Sequence, residues 1–149
     1  MNSIEVCVDA SLAVKVVVAE ADSGIADQLF QAWAREQRAL IAPAFFEVEV
    51  DSIIRQKSAL RKELTAEQAN VAFEKLQALP IRQISLPGQR ELAWRIAEQF
   101  GFVTVYDATY LALAQLRGCE FWTADRRLVE SVKGVLTFVK SLSEYAASP

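Results

Sequence analysis

The chain has 149 residues, 52% of them hydrophobic and 23% charged, with a formal net charge of −3. That length fits one domain, expected to bury about 70% of its extended-chain surface without a disulfide or structural metal, and the acidic balance excludes a global basic field drawing it to nucleic acid. There is no histidine, which removes Ser-His-Asp and Cys-His catalysis and the usual zinc sites, and leaves carboxylates as the groups best able to do chemistry.

Cys7 and Cys119 lie in or beside apolar runs, where a reduced thiol behaves as a small hydrophobe. Two cysteines in a chain of this size point to a cytosolic protein rather than a secreted scaffold. The opening MNSIEVCVD lacks a basic segment followed by a long apolar run, so no signal peptide is expected. No uncharged apolar run approaches the ~20 residues that span a bilayer. The expectation is a cytoplasmic protein with no membrane partner.

In chain order, the β-branched run Ile4–Val8 predicts a strand buried on both faces. It ends at Asp9, and Ser11 begins a helical stretch. Asp22 or Ser23 caps the next helix, with Ile25, Leu29, Phe30 and Trp33 as its apolar stripe. Residues 39–42 (ALIA) form a second strand closed by Pro43. Residues 44–57 read as a helix; Val48, Val50, Ile53 and Ile54 would also suit a strand, but the length and the following RQKSALRKE favour helix. Arg55, Lys57, Arg61 and Lys62 crowd one turn region, either as a solvated face or as a phosphate-contacting patch.

Thr65 and Gln68 have capping-box spacing and start a helix that Pro80 stops. Residues 81–86 form a third strand. Pro87 and Gly88 turn into a helix carrying Leu92, Ile96 and Phe100, with Gly101 as its C-terminal cap. Asp107 opens the next helix, residues 119–124 form a fourth strand, and Asp125 starts another helix. Residues 136–142 are a fifth strand candidate, and 146–149 are expected to fray. Trp33, Trp94 and Trp122 each sit in an apolar pattern, which favours the core over a place at a partner interface. Strands alternating with helices imply an α/β domain over residues 1–145, with a mostly parallel sheet of four to five short strands flanked by helices on both faces.

In such a sheet, ligands bind beyond the carboxyl ends of the strands. Asp9 follows the first strand and Asp125 follows the fourth, so parallel strands would bring both to one edge. Phe45, Phe46, Val50, Ile53 and Ile54 form the apolar side of their helix, and Glu49 falls within it. Glu47 lies at the margin and Asp51 on the solvent side. A carboxylate in an apolar stripe is costly unless paired or metal-bound, which singles out Glu49. Asp9, Asp107 and Asp125 could each be a helix cap, and Glu49 could snorkel to water or pair with an arginine. Together the four make an acidic cluster of hard oxygen donors suited to Mg²⁺ or Mn²⁺. That chemistry fits phosphodiester hydrolysis. Ser11 and Thr123 are candidates to hydrogen-bond these carboxylates, or else serve as local caps.

The motifs VDAS at Val8–Ser11, PAFFEVEVDSII at Pro43–Ile54, VYDATYLALA at Val105–Ala114 and TADRRL at Thr123–Leu128 resemble those of PIN domains. More narrowly, they resemble the VapC-type toxins of toxin–antitoxin pairs, in order and over nearly the whole chain. The resemblance implies a Mg²⁺- or Mn²⁺-dependent endoribonuclease acting on RNA, with Asp9, Glu49, Asp107 and Asp125 as its catalytic and metal-binding acids. It also implies a homodimer and a small antitoxin that blocks the active site. Ser52 stands where the family often has a small polar residue or Asn, and Asp51 adds a charge. An alternative is a PIN-like scaffold that binds RNA or a protein without cutting. A phosphotransfer domain using Asp9 as nucleophile lacks the usual second aspartate, because position 11 is Ser.

Overall fold

Glu5–Val8 forms β1, in which Val6, Cys7 and Val8 are all fully buried. Successive residues of a strand point to opposite faces, so both sides of this strand are covered. The computed structural model describes residues 4–147. Ala39–Pro43 is β2, Ile81–Ile84 is β3, Glu120–Thr123 is β4 and Val139–Ser141 is β5. They form one sheet in the order β3-β2-β1-β4-β5, with every pairing parallel.

The helices are α1 (Ala10–Val17), α2 (Ser23–Arg35), α3 (Phe46–Arg55), α4 (Ala66–Ala78), α5 (Gln89–Phe100), α6 (Tyr106–Arg117), α7 (Arg126–Val132) and α8 (Leu142–Ala147). A π-helical turn, Gln56–Leu60, continues α3. The fold is the expected single α/β domain. The third and fifth strands are shorter than the apolar runs that predicted them: Ser85 and Leu86 leave the sheet, as do Leu136 to Phe138. Ala146 and Ala147, expected to fray, belong to the last turn of α8, while 148–149 lie outside the described residues.

Local chemistry explains the element boundaries. The capping box is complete: Gln68 N–H donates to Thr65 Oγ1 at 3.1 Å, and Thr65 N–H donates to Gln68 Oε1 at 2.9 Å, an arrangement that stabilises a helix start by about 1 kcal/mol. α6 ends at Gly118, whose φ of 63° is the left-handed conformation a side chain would resist.

α6 lies at the centre of the core. Ala108 and Tyr110 to Ala114 have no measurable exposure, and its alanines let it sit close against the strands. At the far end, Arg117 donates to both carboxylate oxygens of Glu5, tying the end of α6 to the start of β1.

The basic cluster resolves into two kinds of residue. Lys57 is drawn inward, pairing with Glu20 at 3.1 Å and Glu63 at 3.3 Å. Lys15 joins the same network through Glu20 at 3.0 Å and Asp22 at 2.8 Å. Lys57 therefore braces α3 against the α1–α2 turn, while Arg55, Arg61 and Lys62 remain exposed. Of the three tryptophans, Trp33 is buried and Trp122 is half-buried between Trp33 and Tyr145. Trp94 is 64% exposed, so its assignment to the core fails.

Candidate active site

The strand order places the site. The chain moves outward from β1 through β2 to β3, then returns to the other side of β1 as β4. This reversal is a topological switch point, where the carboxyl ends of two neighbouring strands leave a crevice. The register pairs Val8 with Trp122, so the next residues, Asp9 and Thr123, stand side by side. Asp9 N–H still donates to Trp122 O at 3.0 Å, carrying the pairing into the site.

Asp9 is at the N-cap position of α1 but its carboxylate makes no cap hydrogen bond. Its Oδ2 instead accepts from Thr123 Oγ1 at 2.6 Å and Ser11 Oγ at 2.7 Å. Both hydroxyls thus take the carboxylate-supporting place rather than a capping one. Thr123 Oγ1 also accepts from Asp125 N–H at 2.9 Å, and Ser11 Oγ from Ala124 N–H at 3.3 Å. The turn after β4 is thereby tied to the acid at the end of β1.

Asp125 does cap its helix, accepting at Oδ1 from Arg127 N–H at 3.0 Å and Leu128 N–H at 3.3 Å. Asp107 lies in the first turn of α6, one residue inside a helix whose N-cap is Val105, so it does not open that helix. Glu49 is half-buried on α3, as its helical face predicted, while Glu47 is exposed. Its partner is not an arginine: Tyr110 O–H donates to Glu49 Oε1 at 2.7 Å.

The electrostatics are one-sided. Burial pushes the Asp9 carboxyl up; the Thr123 and Ser11 hydroxyls pull it back, and Asp125 adds to the rise. Glu49 is raised by burial, eased by Tyr110, and raised further by Asp9 and Asp107. Asp107 is pushed up to about 6 by burial and by the charges of Asp9 and Asp125. Among the described residues, none of the four acids forms an ion pair with lysine or arginine. The fold thus gathers mutually repelling carboxylates and supplies no cationic side chain to balance them. Burial of that kind is costly without a counter-ion. An all-oxygen donor set of this sort fits a hard divalent cation. Among the described residues no three acidic or thiol side chains already close around one point where an ion would sit. Asp107 is half-buried, and Asp125 is exposed but held at Oδ1 by its two cap hydrogen bonds.

Tyr110 is the site residue that sequence reasoning missed. It is fully buried and packs edge-on against Phe45. Burial and the charges of Asp9 and Glu49 hold its hydroxyl far above the usual phenol range, so it remains a donor. The available signal was its place one turn beyond Asp107, since a buried tyrosine hydroxyl needs a partner.

The family model for the PIN domain matches residues 6–133. The chain belongs to the PIN-domain family. Two curated relatives come from Mycobacterium tuberculosis. Ribonuclease VapC12 is 33% identical over 90 residues, covering 60% of this chain and 67% of the relative. Ribonuclease VapC9 is 29% identical over 119 residues, covering 78% of this chain and 91% of the relative. The crystal structure of PAE2754 from Pyrobaculum aerophilum superposes with a TM-score of 0.65 at 21% identity, over 97% of this chain and 96% of that one. That of M. tuberculosis VapC20, described as a Sarcin-Ricin loop cleaving toxin, gives 0.62 at 16% identity, over 85% of this chain and 94% of that one. These two likenesses speak to the fold. The resemblance read from the motifs of this PIN domain is borne out.

Proposed function

We propose that this PIN domain is a metal-dependent endoribonuclease, the toxin of a VapBC-like toxin–antitoxin pair. The observation that carries the reading is the set of four acids without a cationic partner at the switch point, in a chain whose relatives are VapC ribonucleases. Asp9, Glu49, Asp107 and Asp125 are the proposed metal-binding and catalytic residues. Ser11 and Thr123 hold Asp9 in place. Mg²⁺ or Mn²⁺, when bound, would offset the repulsion between the acids and an RNA phosphate and lower the pKa of water at the scissile bond. Asp9 and Glu49 are each tied by hydroxyl donors, and Asp125 is tied by the backbone N–H groups that it caps.

The test is incubation of the purified chain with structured RNA in Mg²⁺ or Mn²⁺, with and without chelator. Internal cleavage that needs the cation is the expected result. Binding of RNA or of a protein partner without cleavage in either cation would favour the scaffold reading instead.

The proposed partners are RNA, a small antitoxin that occludes the acidic site, and a second copy of the chain. An exposed apolar strip supports the homodimer. Trp94, Val105 and Tyr106 protrude beside Phe45 and Arg90 along a groove of about 890 Å³ between α5 and α6. A protruding tryptophan of this kind commonly anchors an interface. Sedimentation should give twice the chain mass, and Trp94→Asp should weaken self-association by about thirtyfold or more. Unchanged association in that variant would move the interface elsewhere. No described helix is long and apolar enough to cross a membrane. A cytoplasmic location is proposed on the likeness to VapC ribonucleases and on the two reduced, buried cysteines.

A further inference from the structure

Glu49 and Tyr110 are far apart in sequence and on different helices, yet the phenol hydroxyl donates to Glu49 Oε1 at 2.7 Å. The tyrosine has no freedom to leave. Its ring packs against Phe45 and Phe121, with centroids 5.6 Å from each, and its backbone carbonyl accepts from Cys7 Sγ on β1 at 3.8 Å. One oxygen of Glu49 is thus held by a donor that is itself clamped between the sheet and α3. Asp9 shows the same division, with both of its hydroxyl donors on Oδ2.

We infer that Tyr110 is a positioning residue that pins one oxygen of Glu49 and leaves the other as the single oxygen free to act as a ligand. The inference rests on the four-acid reading above. Its consequence is selectivity. Ca²⁺ takes six to eight oxygens and favours bidentate carboxylates, whereas Mg²⁺ demands a tight octahedron of single donors. An oxygen that already accepts from Tyr110 has one lone pair fewer to offer, which disfavours bidentate binding by Glu49 and biases the site toward the smaller ion. Groups that orient a ligand in this way commonly govern metal affinity as well as geometry.

The experiment is calorimetric titration of the full chain with Mn²⁺, alone and against Ca²⁺, for the parent, Tyr110→Phe, Glu49→Gln and the double variant. Phe keeps the ring contacts and removes only the donor. Tyr110→Met, which also lacks a donor and adapts to irregular core space, serves if Phe does not fold. Tyr110→Phe should bind Mn²⁺ about tenfold more weakly or worse, and Ca²⁺ should compete better than in the parent. The double variant should bind Mn²⁺ as Glu49→Gln does, because the tyrosine acts through the glutamate. Parent-like Mn²⁺ affinity and Ca²⁺ competition in folded Tyr110→Phe overturn this inference alone, as does an equal loss in the Glu49→Gln background. Absence of Mn²⁺ binding by the parent chain overturns the four-acid reading and this inference with it.

Discussion

Asp9→Asn is expected to lower metal-stimulated RNA cleavage by roughly a hundredfold to a thousandfold, the scale of losing one preorganised electrostatic group at a reacting centre. The substitution is nearly isosteric, and the amide oxygen can still accept from Thr123 and Ser11 at the place of Oδ2. What it removes is a buried charge that the fold resists. The variant should therefore melt at or above the parent's temperature in metal-free buffer, because a source of repulsion is gone. Loss of activity with a lower melting temperature would mark Asp9 as structural. Full activity with metal dependence retained would remove it from the mechanism.

The second large effect concerns pH and Asp107. Its carboxyl is pushed up to about 6 by burial and by Asp9 and Asp125. Between an ordinary carboxylate pKa and that value, the folded chain keeps a proton that the unfolded chain has released. Stability must therefore fall as pH rises from about 4 to about 6 and stay lower above that range. Allowing for solvent screening of a half-buried group, the loss is on the order of 1–2 kcal/mol. In metal-free buffer, Asp107→Asn should melt above the parent at about pH 8, with the gap closing near pH 4. Millimolar Mg²⁺ should raise the parent's melting temperature at the higher pH and leave the variant's unchanged. Identical melting of parent and variant across this range would contradict the repulsion described at the site.

Asp9, Asp125 and the hydroxyls that support Asp9 were legible in the chain because they sit where strands give way to helices, whereas Asp107 follows the turn between two helices. Asp9 and Asp125 follow apolar runs, and parallel pairing was enough to predict a shared edge. Glu49 was legible from helical projection, as the acid of its own helix that falls within the apolar stripe. The cap interpretation divides: Asp125 caps α7, while Asp9 accepts from the side chains of Ser11 and Thr123 and makes no cap hydrogen bond.

Tyr110 escaped because its meaning depends on a contact with Glu49 on another helix, which no local pattern encodes. Trp94 misled for a related reason. Its helical spacing is that of a core residue, but α5 leaves that face open beside α6. Lys57 shows the reverse case: a member of a basic run that turns inward because Glu20 and Glu63 converge on it. The runs that predicted β3 and β5 were too long because apolar residues outside the paired positions, Leu86 after β3 and Leu136 and Phe138 before β5, pack on the core instead.

The most direct measurement is the anomalous scattering of Mn²⁺ in crystals of the full chain grown or soaked with that ion. A peak bounded by Asp9, Glu49, Asp107 and Asp125 is expected, lost in Asp9→Asn. A peak elsewhere, or none in crystals of a chain that still cleaves RNA only with Mn²⁺, would contradict the four-acid site.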